Sequence, residues 1–144
     1  MKKVLIVNGP NLNLTGKRNP EVYGYATLDE INARTAAEGL RLGIVCDFYQ
    51  SNHEGGIIDS LHQAIDRYDG ILLNAGAYTH YSYAIRDAIE AIGLPVIEVH
   101  MSNIYQREEF RHVSVIAEVC RKSIVGYGCE SYTIALKELN DIIK

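Results

Sequence analysis

The sequence predicts an α/β domain in which helices cover both faces of a five-stranded parallel sheet. Two observations carry that reading. Short apolar runs alternate with longer segments of helical periodicity, the pattern of βαβ units. The short runs are also nearly continuous in apolar residues, as strands are when helices cover both of their faces.

The strands are expected at Lys3–Asn8, Ile44–Gln50, Gly70–Asn74, Pro95–His100 and Ser123–Tyr127. Between the first two, Thr27-Leu28-Asp29-Glu30 matches a capping box, a hydroxyl N-cap with Glu three residues on. The helix it opens turns Leu28, Ile31 and Thr35 toward the core. Ile57, Ile58, Leu61, Ala64 and Ile65 form a second apolar stripe, and Ile85, Ala88, Ile89 and Ile92 a third. The last helix runs from about Ser131 to Ile143 and buries Leu136, Leu139 and Ile143. These elements imply a three-layer α/β/α sandwich of flavodoxin-like strand order 2-1-3-4-5. With no internal repeat, low-complexity tract or linker, residues 1–144 read as one domain.

Composition narrows the function. The chain has 144 residues, 47% of them hydrophobic, enough for a single core. A net charge of −4 and the absence of a basic block argue against nucleic acid or an anionic membrane as partner. The apolar run Val4–Val7 is too short for a signal peptide, and no stretch approaches a membrane span. Cys46, Cys120 and Cys129 form no CxxC pattern, so a cytoplasmic protein with small, buried, reduced thiols is expected.

In open sheets of this kind ligands bind beyond the carboxyl ends of the strands, where the strand order reverses. Polar residues gather at those ends: Asn8 and Asn11, then Gln50-Ser51-Asn52-His53-Glu54, then Asn74 and His80, then Glu98 through Ser102. Four of the five histidines (His53, His80, His100 and, less directly, His112) follow strand ends. The segment NGPNLNLTGKRNPEVYG, from Asn8 to Gly24, is far longer than the usual ~2–6 residue connection, and longer connections tend to be lids or binding loops.

That loop carries Arg18 and Tyr23. A tyrosine ionises near pH ~10 and serves as a base at neutral pH only beside a cation that stabilises its phenolate. Arg18 is such a cation; the plainer alternative is an exposed arginine and a tyrosine packed on the domain. Glu98 and His100 stand two apart on a strand, so they share a face. A carboxylate beside an imidazole favours the imidazolium, which makes His100 a candidate general acid. A metal held by His80, Glu98 and His100 is a rival reading without HxH or HExxH spacing in support. Arg111 suits a substrate carboxylate, while Arg107, Glu108 and Glu109 read more simply as a solvated face. Asn74 suits an oxyanion or a water, and the backbone amides at Gly76-Ala77 and Met101-Ser102 suit an anion. His53 and Glu54 are ambiguous between support and loop structure. A base, an acid and a carboxylate-binding arginine, without a nucleophilic Ser or Cys beside a base and without GxGxxG or a P-loop, point to proton abstraction next to a carbonyl followed by loss of water.

The segments NGPNLN, RNPEVYG, QSNHEG, NAGAYTHYSYAIRDA, EVHMSNI and REEFRHVSVIA closely resemble type II 3-dehydroquinate dehydratases, in order and spacing, over most of the chain. The resemblance implies a flavodoxin-like fold and elimination of water from 3-dehydroquinate to give 3-dehydroshikimate in the shikimate pathway, with no cofactor and no metal. It implies Tyr23 as base with Arg18 holding it ionised, His100 as acid oriented by Glu98, and Asn11 placing a water on the developing enolate. Substrate binding is implied for Asn74, His80, Asp87, Met101, Ser102 and Arg111, with Met101 and Ser102 acting at least partly through their backbone. It also implies trimers assembled into a dodecamer, with Asp87 reaching a neighbour's site. The chain departs from the family pattern at Asn19, at Ala75, near Lys122-Ser123 and at Cys129-Glu130-Ser131. None of these is a proton-transfer residue, so local packing and lid behaviour are expected to change rather than the reaction.

Two other readings share this fold class. A receiver module would need an acidic cluster after the first strand, and an FMN module a hydroxyl-rich phosphate loop there; Asn8 to Asn13 is neither. A metal-dependent hydrolase on His80, Glu98 and His100 would be sensitive to chelators.

Overall fold

The computed structural model describes residues 1–17 and 19–144, without the side chains of Val22 and Tyr23. Strands β1 (Lys2–Asn8), β2 (Ile44–Gln50), β3 (Gly70–Asn74), β4 (Val96–His100) and β5 (Lys122–Val125) form one parallel sheet in the order β2-β1-β3-β4-β5. This is the order expected from the sequence. Helices α2 (Leu28–Arg41) and α5 (Glu130–Ile143) cover one face, while α3 (Glu54–Gln63) and α4 (Tyr83–Ile92) cover the other.

The layers follow from the strand period. Val4 and Ile6 of β1 pack with Ile31, Leu136 and Leu139 on the α2/α5 side. Leu5 and Val7 point the other way, into Ile57, Leu61, Ile85 and Ile89. The capping box at α2 forms as read: the Thr27 hydroxyl accepts from the Glu30 amide at 3.2 Å. Ser82 caps α4 in the same way through the Ile85 amide, at 3.0 Å.

Apart from shifts of one residue at strand starts, the structure differs from the sequence reading most clearly at α3, at the end of β5 and at the cysteines. Helix α3 stops at Gln63, which leaves Ile65 44% exposed rather than in the core. β5 ends at Val125 instead of Tyr127 because Gly126 and Gly128 adopt positive φ and turn the chain. The long segment after β1 holds a 3₁₀ turn at Leu12–Leu14 and a short helix, α1 (Pro20–Tyr23). The three cysteines are free but only partly buried.

Gly9 joins the end of β1 to the cavity loop and donates its amide to the Asn74 carbonyl at 2.7 Å. A Cβ at Gly9 would lie 2.7 Å from both the carbonyl carbon and oxygen of Ala75, which are backbone atoms. We expect Gly9→Ala to destabilise the fold by about 1–3 kcal/mol, the usual cost of overpacking. Urea unfolding checks this, and an unchanged midpoint would count against the packing argument.

Candidate active site

The carboxyl ends of β1, β3 and β4 surround a cavity of about 100 Å³ lined by Asn11, Asn74, His80, His100, Met101, Ser102 and Arg111, among others. It sits beside the reversal of strand order between β1 and β3, where the fold class places ligands. Glu21 of α1 borders an adjoining hollow of about 350 Å³ that shares Met101, Ser102 and Arg107 with the cavity.

His100 and Glu98 are both almost fully buried, with His100 Nε2 2.7 Å from Glu98 Oε2. This is the same-face pair expected of residues two apart on a strand, and it leaves His100 Nδ1 for the cavity. Two hydroxyls also donate to the carboxylate: Ser114 to Oε2 at 2.6 Å and Ser123 to Oε1 at 2.5 Å. Burial alone would raise the Glu98 carboxyl, but the hydrogen bond and charge of His100 and the two serine hydroxyls outweigh it and hold the group below its ordinary value. Glu98 is therefore an anion at neutral pH. Because the folded value lies below the unfolded one, its contribution to stability is complete above the ordinary carboxylate range and is lost as pH falls through the folded value.

Asn74 is fixed at both ends of its amide. Its Nδ2 donates to the Tyr132 hydroxyl at 3.0 Å, and its Oδ1 accepts from the Gly76 amide at 3.1 Å. The Gly76 amide is therefore occupied and is not the anion donor the sequence suggested. Tyr132 is 1% exposed, and its hydroxyl donates to Asn8 Oδ1 at 2.5 Å. Burial pushes this phenol well above its ordinary value, so it stays neutral and remains a donor. Tyr132→Phe strips a partner from two buried amides, and we expect a loss of about 1–3 kcal/mol in thermal or urea unfolding. Wild-type stability would mean that these bonds contribute nothing.

Asn11 adopts the left-handed region (φ 68°), which asparagine tolerates. Its amide donates to Asn52 Oδ1 at 2.9 Å, and Gln50 Nε2 donates to that same oxygen and to the Gly9 carbonyl. The QSN segment thus acts as a brace for the cavity loop. His80 Nδ1 lies 2.8 Å from the Val113 carbonyl, which makes Nδ1 the protonated nitrogen and Nε2 an acceptor. Burial pulls this imidazole below its ordinary value, against the pull of that hydrogen bond, so His80 is neutral at pH 7. Arg111 Nε donates to Glu108 at 2.9 Å while its guanidinium lies over the Phe110 ring. That arrangement commits one nitrogen and leaves the Nη pair for an anion.

The cavity thus gathers seven of the candidates read from the sequence. Asp87 is not among them, since it lies on the exposed face of α4. Arg18 and the Tyr23 side chain lie outside the described residues. The rim histidines also divide. His80 and His100 line the cavity, whereas His53 precedes α3 and His112 Nε2 lies 3.0 Å from the Arg107 carbonyl. Glu54 accepts from Ser82 and ties α3 to the start of α4. Arg107, read as part of a solvated face, lines the cavity. Among the described residues no group of three His, Cys, Asp or Glu is placed to hold a metal.

Sequence reasoning missed Ser114, Ser123 and Tyr132. Ser123 was visible only as a departure from the family pattern, expected to leave the proton-transfer residues untouched. The register instead sets it opposite Glu98 on the neighbouring strand. Tyr132 follows the Gly126–Gly128 turn, and nothing in its local sequence ties it to the cavity.

Comparison with known proteins agrees with this geometry. The family model for class II dehydroquinases matches residues 2–140. A 3-dehydroquinate dehydratase of Bacillus cereus is 56% identical over the whole chain and 99% of its own length. The crystal structure of the type II dehydroquinase of Butyrivibrio crossotus superposes with a TM-score of 0.95 at 46% identity, covering 96% of this chain and 97% of that one. The enzyme of the same type from Propionibacterium acnes gives 0.94 at 40% identity, covering 98% and 97%. The chain belongs to the class II dehydroquinase family.

Proposed function

We propose that this chain is a hydro-lyase that removes water from 3-dehydroquinate to give 3-dehydroshikimate, the step of the shikimate pathway that leads toward aromatic amino acids. The observation that carries the reading is the buried Glu98–His100 pair, with its carboxylate held by three donors at the wall of a cavity rich in polar groups.

In this reading Tyr23, as phenolate, takes the proton from the carbon next to the ketone, and the electron pair moves onto the carbonyl oxygen. Arg18 stabilises the phenolate; each unit of lowering requires about 1.4 kcal/mol of differential stabilisation. A water placed by Asn11 donates to the enolate oxygen. The enolate then collapses, and the hydroxyl β to the carbonyl departs as water with a proton from His100, which Glu98 keeps oriented. The phenol and the imidazole return to their starting states by exchange with solvent. Substrate binding falls to Asn74, Met101, Ser102, neutral His80 as acceptor for a substrate hydroxyl, and the free Nη edge of Arg111 for the carboxylate.

The test is optical. Purified protein given 3-dehydroquinate should develop the absorbance of the conjugated enone at a rate unchanged by EDTA. Folded protein that yields no enone would refute the assignment, and loss of the signal with EDTA would favour the metal-dependent reading.

We also propose a cytoplasmic homo-oligomer, trimers assembled into a dodecamer, in which Asp87 reaches a neighbour's cavity. In support, Asp87 is exposed on α4, and Tyr81 and Tyr83 beside it are 59% and 65% exposed. The three free cysteines suit a reducing compartment. No helix among the described residues is long and apolar enough to cross a membrane. Light scattering should return the mass of twelve chains, and a single-chain mass would contradict the assembly.

A further inference from the structure

The carboxylate of Glu98 meets more donors than an orienting partner for one histidine requires. Among the described residues, His100 Nε2 and the Ser114 hydroxyl both reach Oε2, while Ser123 alone reaches Oε1. The two serines differ in what else they do. Ser114 Oγ also accepts from the amides of Ile116 and Ala117, so it shapes the turn before β5. Ser123 stands on the edge strand β5, directly opposite Glu98 in the register, and its side chain bonds only to that carboxylate among the contacts described.

A carboxylate with one oxygen held and the other bare can turn about its last torsion, which is broad and nearly two-fold. Turning would take Oε2 away from the imidazole. A donor on Oε1 opposes that rotation and stabilises the ionised form. We propose that Ser123 is a positioning residue for the dehydration: its hydroxyl locks Oε1 of Glu98 so that Oε2 holds His100 in the orientation that delivers a proton to the leaving hydroxyl. The inference rests on the dehydratase reading given above.

The ionisable groups facing Glu98 are few. His100 lies on its own strand and His80 lies beyond it on the turn after β3. The Cys120 thiol, before β5, is pushed up first by burial and then by the Glu98 charge itself. It therefore stays neutral across the range of interest. Among the described residues, loss of the Ser123 donor accordingly acts first on the Glu98–His100 pair, with His80 feeling the Glu98 charge more weakly.

The experiment compares wild type, Ser123→Ala and Ser123→Thr, with the Glu98 side chain followed by carbon NMR in labelled protein. Position 123 is exposed on an edge strand, where alanine and threonine are both tolerated. In Ser123→Ala we expect kcat to fall roughly five- to tenfold, the scale of one ordinary hydrogen bond, with KM unchanged. The Glu98 carbon should titrate at higher pH than in wild type, and Ser123→Thr should restore both properties. In a Glu98→Gln background, Ser123→Ala should cost nothing further. A wild-type kcat and Glu98 titration in Ser123→Ala would overturn the proposal, as would a rise in KM at constant kcat. If wild type itself makes no enone, the dehydratase reading fails, while the NMR titration still reports whether Ser123 governs Glu98.

Discussion

Replacing His100 by alanine should lower kcat by about 10²–10⁴-fold, the range of a positioned general acid. Among the described residues, the His100 imidazole is the one at the cavity wall with a nitrogen held by a buried carboxylate. Removing it leaves Glu98 buried with only its two serine donors, so the variant also loses stability. For that reason His100→Gln belongs in the same experiment, since its amide can still donate to Glu98 but cannot release a proton to substrate. Both variants should bind ligand with affinity near wild type, because the lost interaction is made chiefly in the transition state. A kcat within threefold of wild type in either variant would remove His100 as the acid.

The second large effect is expected at Tyr23. Tyr23→Phe deletes one oxygen and should also reduce kcat by about 10²–10⁴-fold, with ligand affinity by calorimetry changed less than about threefold. Arg18→Ala should lower kcat too, because the phenol would return toward its ordinary ionisation, and added alkali should recover part of the loss. Near-normal turnover in Tyr23→Phe would exclude Tyr23 as the base.

Much of this was legible in the sequence, for physical reasons. A parallel sheet covered on both faces requires near-continuous apolar strands, so the strands and their order could be read from the runs themselves. The two-residue period of a strand was enough to pair Glu98 with His100. Non-local contacts were less accessible. Ser114 and Ser123 come from chain segments outside the strand that carries Glu98, and the second depends on the register of an edge strand. Tyr132 reaches Asn8 and Asn74 only because α5 packs over the middle of the sheet. Gly76 was a reasonable anion donor from composition, yet the Asn74 side chain claims its amide. Ile65 fits the apolar stripe by spacing, but α3 ends before it. In each of these cases a local pattern was overruled by where a neighbouring element ends or packs.

The proposed reaction divides the labour between Tyr23 as base and His100 on β4 as acid. Deuterium exchange at the carbon next to the ketone separates the two most directly. His100→Ala incubated with 3-dehydroquinate in heavy water should wash deuterium into recovered substrate while making almost no enone, because the enolate still forms and returns. Tyr23→Phe should do neither. Deuterium uptake at the wild-type rate in Tyr23→Phe, or none in His100→Ala, would contradict the account.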